Sequence, residues 1–228
     1  MMDTLFKEVT RNPSFHRMSN MRYNHIIFDI DGTIVDNDFA ILQSLQDTLH
    51  ELTGIIHSHE ELHMALGVPE YAPLKHFNLP DMGEASKRWT ANKAIYAHRV
   101  KPFPDVVQLL KELKQAGAFL GIVTSRRRAE YISDFFPYWL HPLFETVICS
   151  DDTLRHKPEP DPLLAYLEQS KAAKTDAIYI GDSHYDMECA SAADVDCGHA
   201  LWGEGRTKHS KATYHFGTAS DLRDLLFS

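Results

Sequence analysis

Aspartates, hydroxyls and one lysine recur where the sequence leaves apolar runs, and as a set they could handle a phosphate. Asp29-Ile30-Asp31 follows His25-Ile26-Ile27-Phe28, and Thr124-Ser125-Arg126 follows Ala118 to Val123. Ser150-Asp151-Asp152 leads to Lys157, and Gly181-Asp182-Ser183-His184-Tyr185-Asp186 follows Ala177 to Ile180. Crowded carboxylates raise one another's pKa unless a cation compensates them. Magnesium is suited to compensate them, since it takes oxygen ligands in an octahedron, and Asp29 and Asp182 can hold it with positions left for a substrate phosphate. Lys157 adds a fixed positive charge, Thr124 and Ser125 add hydroxyl donors, and N–H groups at the following helix starts complete a phosphate cradle. Residues i and i+2 at the end of an extended segment point to one side, so Asp29 and Asp31 address one phosphorus atom. Asp29 is placed to attack and form an aspartyl-phosphate. Asp31 is placed to protonate the departing oxygen and then deprotonate water, a role that calls for a pKa raised by its neighbours. Gly32 lets the backbone turn sharply beside the phosphate.

These residues meet only if the strands before them lie side by side. The run ahead of Asp29 reads as a buried strand ended by a turn. Phe39, Ile41, Leu42, Leu45, Leu49 and Leu52 recur at helical spacing, which predicts a helix from Asp38 to Leu52 closed by Gly54. Ser58-His59-Glu60-Glu61 and Asp81 to Glu84 have the spacing of helix starts. Residues 37–100 read as helical throughout, with turns at Gly67-Val68-Pro69 and Asn78-Leu79-Pro80. Beyond Pro102 and Pro104 helix and strand alternate. Helices are predicted over Asp105 to Ala116, Arg127 to Phe136, Asp161 to Ser170 and Tyr185 to Ala193. Strands are predicted over Ala118 to Val123, Glu145 to Cys149, Ala177 to Ile180, Gly198 to Leu201 and Thr213 to Phe216. Such alternation predicts an α/β fold: a doubly wound parallel-sheet (Rossmann-like) core whose ligands bind beyond the carboxyl ends of its strands. On this reading residues 22–36 and 101–228 are the core, residues 37–100 an inserted α-helical cap, and residues 1–21 a polar N-terminal extension without assigned function.

Asp29-Ile30-Asp31-Gly32-Thr33, the strand ending in Thr124-Ser125, Lys157-Pro158-Glu159-Pro160 and Gly181-Asp182-Ser183-x-x-Asp186, in this order, resemble the four signature motifs of the haloacid dehalogenase (HAD) superfamily. The likeness spans residues 26 to 203 and is strongest to the phosphoglycolate phosphatase-like branch, which carries a helical cap after the first motif. The resemblance implies Asp29 as nucleophile and metal ligand, Asp31 as acid/base with its backbone carbonyl on the metal, and Thr124 on the phosphoryl group. It further implies Lys157 stabilising the transferring phosphoryl group, Asp182 on the magnesium ion, and Asp186 supporting it directly or through water. Dehalogenases lack the second aspartate of the first motif, so Asp31 favours phosphoryl chemistry. Two departures stand out: Ala193-Asp194 where relatives commonly carry Ala-Gly, and Asn37 where a Ser often follows Asp36. Neither is expected to touch a catalytic role.

The expected activity is therefore magnesium-dependent hydrolysis of a small phosphomonoester. A sugar-phosphate mutase of the same fold is the nearest alternative; a phospho-accepting signalling domain and a catalytically silent binding protein are more remote. Arg126 follows the hydroxyl pair directly and is a candidate to read a substrate's distal charge. Thr124 and Ser125 are also expected to cap the next helix, and Asp151 and Asp152 stand between a cap and a supporting acid. His59 and His63 have i,i+4 spacing able to bind zinc, but no third ligand accompanies them. The formal net charge of -9, from 23 Lys+Arg against 32 Asp+Glu, opposes partnership with nucleic acid or an anionic membrane. Cys149, Cys189 and Cys197 show no metal-binding spacing and read as buried thiols of a reducing compartment, which with the absence of a long apolar run points to the cytoplasm. Core and interface apolar residues have the same pattern, so the sequence sets no oligomeric state.

Overall fold

Ile26 and Phe28 face one layer of apolar side chains and Ile27 the other, because successive residues of a strand point to opposite faces. The strand they form, β1 (His25–Phe28), is thus buried on both sides, as strands of a covered parallel sheet are. A computed structural model describes residues 21–68, 71–133, 137–203 and 208–228. Besides β1, its main sheet contains β4 (Phe119–Val123), β5 (Thr146–Ile148), β6 (Ala177–Gly181), β7 (Asp196–Ala200) and β8 (Tyr214–Phe216). All neighbours are parallel, in the order β5-β4-β1-β6-β7-β8. The chain winds outward from β1 through β4 to β5, then returns to β6 on the other side of β1 and winds outward again. The switch of direction falls between β1 and β6, where the ends of two adjacent strands open a crevice.

One apolar layer joins Ile26, Phe28, Leu120, Ile122, Ile178 and Ile180 to the helices Pro104–Gln115 and Ala219–Leu226. The other joins Ile27, Val123, Tyr179 and Cys197 to the helices Asp161–Ser170 and His184–Ala193. A third, separate cluster of Leu42, Leu45, Leu49, Leu62, Leu74 and Trp89 holds the inserted helices together. Among these are Asp38–Thr53, ended by Gly54 in the left-handed conformation, and Met82–Ile95, begun by Asp81, whose carboxylate accepts the Glu84 N–H. Ser58 and Glu61 form the expected capping box. Polar side chains buried between the two long helices are paired: Trp89 Nε1 donates to Ser44 Oγ at 2.9 Å and Asn92 Nδ2 to Thr48 Oγ1 at 3.0 Å.

Two features were not foreseen in the sequence. A two-stranded antiparallel ribbon, β2 (Val35–Asp36) with β3 (Lys101–Pro102), ties the start of the helical insertion to its end. A helix at Ala219–Leu226 closes the chain, its Thr218 capping box matching the start signal of the other helices. Most predicted bounds shift by a single residue, and two differences are larger or less simple. The helix expected from Arg127 runs Arg128–Ser133, with residues 134–136 outside the described segments, and β7 begins at Asp196 rather than Gly198. The expected N-terminal extension lies, but for Met21, outside the described residues, as does Pro69 of the expected turn.

Candidate active site

Asp29 leaves β1 with its N–H donating to Ile180 O of β6 at 2.8 Å, which places its side chain at the switch point. Lys157 Nζ reaches it there, 3.0 Å from Asp29 Oδ1 and 2.7 Å from Asp186 Oδ1. These side chains are sealed from water: those of Lys157 and Asp186 are 2% and 0% exposed. Tyr179, on β6, organises them further. Its hydroxyl accepts from Lys157 Nζ at 3.2 Å and lies 2.8 Å from two acceptors, Val123 O and Asp186 Oδ1. Asp186 is fixed again by Ser183, whose N–H and Oγ both donate to its Oδ2, at 3.0 and 2.6 Å. Burial opposes the charge on Lys157, but Asp186 and Asp29 outweigh it and raise the ammonium's pKa. Asp186 is held below the carboxylate range because Lys157 overcomes the effect of burial. Asp29, left with half a cation, is pushed up to about 7 by burial and by the nearby Asp186 and Asp31 charges, against the pull of Lys157.

Asp182, at the end of β6, completes a triad. One oxygen each from Asp29, Asp182 and Asp186 lie within 4.8 Å of one another, close enough to share one cation. Three buried carboxylates served by one ammonium are a donor set that fits a hard divalent ion, which would balance both the surplus charge and the raised Asp29. Among the described residues no other cluster of acids, histidines or cysteines is gathered this closely. Asp182 is steadied from behind. His199 Nε2 donates to the Asp182 carbonyl at 2.8 Å, while His199 Nδ1 accepts the His209 N–H at 3.2 Å, and these two bonds fix the neutral tautomer. Burial lowers the pKa of this ring, in keeping with that state. Thr33 Oγ1 lies 3.5 Å from Asp182 Oδ1, and the Trp202 indole donates to Thr33 O at 2.9 Å.

Asp31 sits in different company, and here two expectations are corrected. Its carboxylate meets the Arg126 guanidinium side-on: Nε is 2.9 Å from Oδ2 and Nη2 is 2.6 Å from Oδ1. Asn37 Nδ2 bonds Oδ1 as well. Burial would raise this acid, but Arg126 and then Asn37 hold it below the ordinary carboxylate range, the reverse of the raised pKa expected for it. Asn37, read in the sequence as a departure without catalytic bearing, contacts the candidate acid directly. It stands at the N-cap of Asp38–Thr53, but its side chain makes no cap bond and serves Asp31 instead. Arg126, the candidate to read a substrate's distal charge, lies against Asp31 at this end of the site.

The remaining sequence candidates fall into place around these two centres. Gly32 takes φ +71°, the left-handed turn expected of it, and its N–H donates to Val35 O at 2.8 Å. Thr124 is buried at the end of β4 and its Oγ1 accepts the Arg126 N–H at 3.2 Å. The next helix begins only at Arg128, so neither Thr124 nor Ser125 caps it. Ser125 Oγ is buried with no hydrogen-bond partner. Asp151 accepts from Arg128 N–H at 2.8 Å and Asp152 from Cys149 N–H at 2.7 Å; both brace the segment after β5, outside the triad. His59 bonds Gln43 at 3.1 Å, and among the described residues no third ligand gathers with it and His63. The helical insertion touches the site at Gly67, where a Cβ would come within 2.5 Å of Ser183 Cβ. Only glycine allows that approach, at φ +72°.

Sequence reasoning missed Tyr179 and His199. Both are polar residues inside strands that otherwise read as apolar and buried, and that mismatch was the available signal.

Comparison with known proteins agrees with this geometry. The family described as haloacid dehalogenase-like hydrolase matches residues 26–200. A protein of Caldanaerobacter subterraneus subsp. tengcongensis named putative pyrophosphatase PpaX is 32% identical over 183 residues, covering 80% of this chain and 83% of that protein. Pyrophosphatase PpaX of Bacillus velezensis is 28% identical, covering 81% and 86%. Among solved structures, a putative phosphoglycolate phosphatase from Lactobacillus plantarum superposes with a TM-score of 0.79 at 29% identity, over 90% of this chain and all of that one (100%). CbbY from Rhodobacter sphaeroides in complex with phosphate shares the fold, with a TM-score of 0.72 at 18% identity over 88% and 96% of the two chains.

Proposed function

Since this chain belongs to the haloacid dehalogenase-like hydrolases, we propose that it is a magnesium-dependent phosphatase that hydrolyses a small phosphate compound through a phosphorylated Asp29. The observation that carries this reading is the buried Asp29, Asp182 and Asp186 triad with Lys157 inside it, at the carboxyl ends of β1 and β6. Membership in a hydrolase family sets aside the signalling domain and the silent binding protein. The relatives' names keep phosphomonoesters and pyrophosphate within the substrate class.

Asp29, Asp182 and Asp186, with the backbone carbonyl of Asp31, would hold the magnesium ion. When bound, that ion supplies the positive charge that admits an anionic substrate to an acidic crevice and keeps Asp29 ionised. The Asp29 carboxylate then attacks phosphorus. A bond forms between its oxygen and phosphorus, the bond to the leaving oxygen breaks, and the electron pair departs with that oxygen. Lys157 and the Thr124 and Ser125 hydroxyls bind the oxygens of the group in flight. Asp31 faces the departing side. As a carboxylate it takes the proton of the water that opens the acyl phosphate and returns Asp29. Donating a proton in the first half requires its Arg126 pair to loosen, whereas a weakly basic leaving group departs without one. Asn37 and the Gly67 contact connect this side to the helical insertion, which excludes water when it lies over the crevice. Three unpaired buried cysteines accord with a cytoplasmic setting, and no helix among the described residues is long and apolar enough to cross a membrane.

The test is hydrolysis of a panel of phosphometabolites by the purified chain, with and without magnesium. Release of phosphate that needs the metal and vanishes in Asp29→Asn supports the reading; release that survives Asp29→Asn refutes it.

A further inference from the structure

We propose that Arg126 is the receptor for negative charge on the leaving group, which makes the site selective for phosphate compounds whose departing half is itself anionic. The inference rests on the phosphatase reading and adds a substrate class to it.

The two buried cations of the site are divided between its two ends. Lys157 is committed to Asp29 and Asp186, on the side of the group being transferred. Arg126 lies along Asp31, the residue that on the phosphatase reading serves the departing group. That end is the more open one: the side chains of Arg126 and Asp31 are 9% and 20% exposed. The guanidinium meets Asp31 as a two-pronged fork, the geometry that also receives a second carboxylate or a phosphate. A departing group held at Asp31 is therefore within reach of the same guanidinium.

Stability does not account for the pair. A buried ion pair contributes little over an apolar pair of the same volume, because desolvating both charges offsets their attraction.

The chemistry balances without further reactants. Attack by Asp29 breaks the bond between phosphorus and the leaving oxygen, and the electron pair adds negative charge to a group that is charged already. Arg126 stabilises that increase while Asp31 remains a carboxylate. Water then opens the acyl phosphate, its proton passing to Asp31.

The test compares two substrates whose leaving groups are of similar basicity and unlike charge. The departing half of p-nitrophenyl phosphate is uncharged before cleavage; that of inorganic pyrophosphate is anionic throughout. The wild-type chain should hydrolyse both with magnesium. In Arg126→Gln both rates should drop as Asp31 loses its partner. The ratio of kcat/KM for pyrophosphate to that for p-nitrophenyl phosphate should fall a further tenfold to hundredfold, roughly the worth of a charge-assisted bond. KM for pyrophosphate should rise, and Arg126→Lys should recover part of the ratio. Misfolded protein lowers both rates together and alters neither the ratio nor KM, so the readings report on active molecules. An unchanged ratio and KM in Arg126→Gln, or in Arg126→Lys should the glutamine variant be inert, assigns Arg126 to Asp31 alone and overturns the proposal. A wild-type chain active only on p-nitrophenyl phosphate overturns it too but leaves the phosphatase reading standing; one active on neither removes both.

Discussion

Asp29 and Asp31 sit two residues apart on one loop, and each meets a buried cation, yet their pKa values move in opposite directions. Asp29 shares Lys157 with Asp186 and has Asp182 beside it, so carboxylates outnumber cations and the acid is pushed up to about 7. Asp31 meets Arg126 through a two-pronged contact and Asn37 in addition, and is held down. The deeper burial of Asp29 and the local ratio of acids to cations, rather than residue type, decide which end of the site calls for a metal ion. One end is short of positive charge and suited to magnesium; the other is balanced until a substrate arrives.

The widest predicted gap between the two ends is in their removal. Asp29→Asn should lower kcat by about a thousandfold or more on every substrate, as loss of a nucleophile does. Asp31→Asn should be far milder on a weakly basic leaving group. Equal losses in the two variants would erase the distinction. Next in size is Lys157→Met, which strips the cation from between two buried carboxylates. It should lower kcat about a hundredfold and destabilise the metal-free fold by about 3–5 kcal/mol, read by denaturant unfolding, with magnesium restoring part of the stability. A variant as stable as the parent would show that Lys157 is not what neutralises that end.

His199 offers a smaller and more specific probe. Replacing it by leucine should weaken magnesium binding about tenfold, read by calorimetry, because the Asp182 carbonyl loses its donor. His199→Gln keeps a donor near the ε position and should recover part of the affinity, which a purely space-filling histidine would not predict.

The smallest effect is on stability with pH. Burial raises Asp29, so the metal-free fold keeps a proton there that the unfolded chain releases at ordinary carboxylate pH. Its contribution is present below that range and lost as pH rises through about 7. Asp31 and Asp186, held low, contribute above the ordinary range and lose that contribution only in stronger acid. Burial lowers the pKa of His25 and His199, which changes stability with pH in the opposite sense, so the informative quantity is a difference. From about pH 5 to 8, the melting temperature of the chelator-treated chain should fall relative to that of Asp29→Asn, and magnesium should abolish the fall. Parallel curves without metal would mean that Asp29 ionises as an ordinary carboxylate.

Much of this was legible from the order of residues, for a physical reason. A buried parallel strand writes itself as an apolar run, and the residues just past it must lie at one sheet edge, so Asp29, Thr124 and Asp182 announce their neighbourhood through local pattern alone. Partner choice across the site was not legible. That Arg126 pairs with Asp31, and that Asn37 leaves its cap position to join them, depends on distances between β1, β4 and the first inserted helix that no spacing rule encodes. Hence the expected direction of the Asp31 shift was wrong. The β2–β3 ribbon escaped notice because two-residue strands are too short to show a period, and Tyr179 and His199 because a single polar residue does not interrupt an apolar run.

The central claim is that Asp29 becomes phosphorylated. Brief mixing of the chain with substrate and magnesium, an acid quench and peptide mass analysis would test it most directly. The expected result is one phosphoryl group on the peptide that carries Asp29, lost on longer incubation and never formed in Asp29→Asn. Turnover with no label on that peptide, or with the label on another residue, would contradict the account.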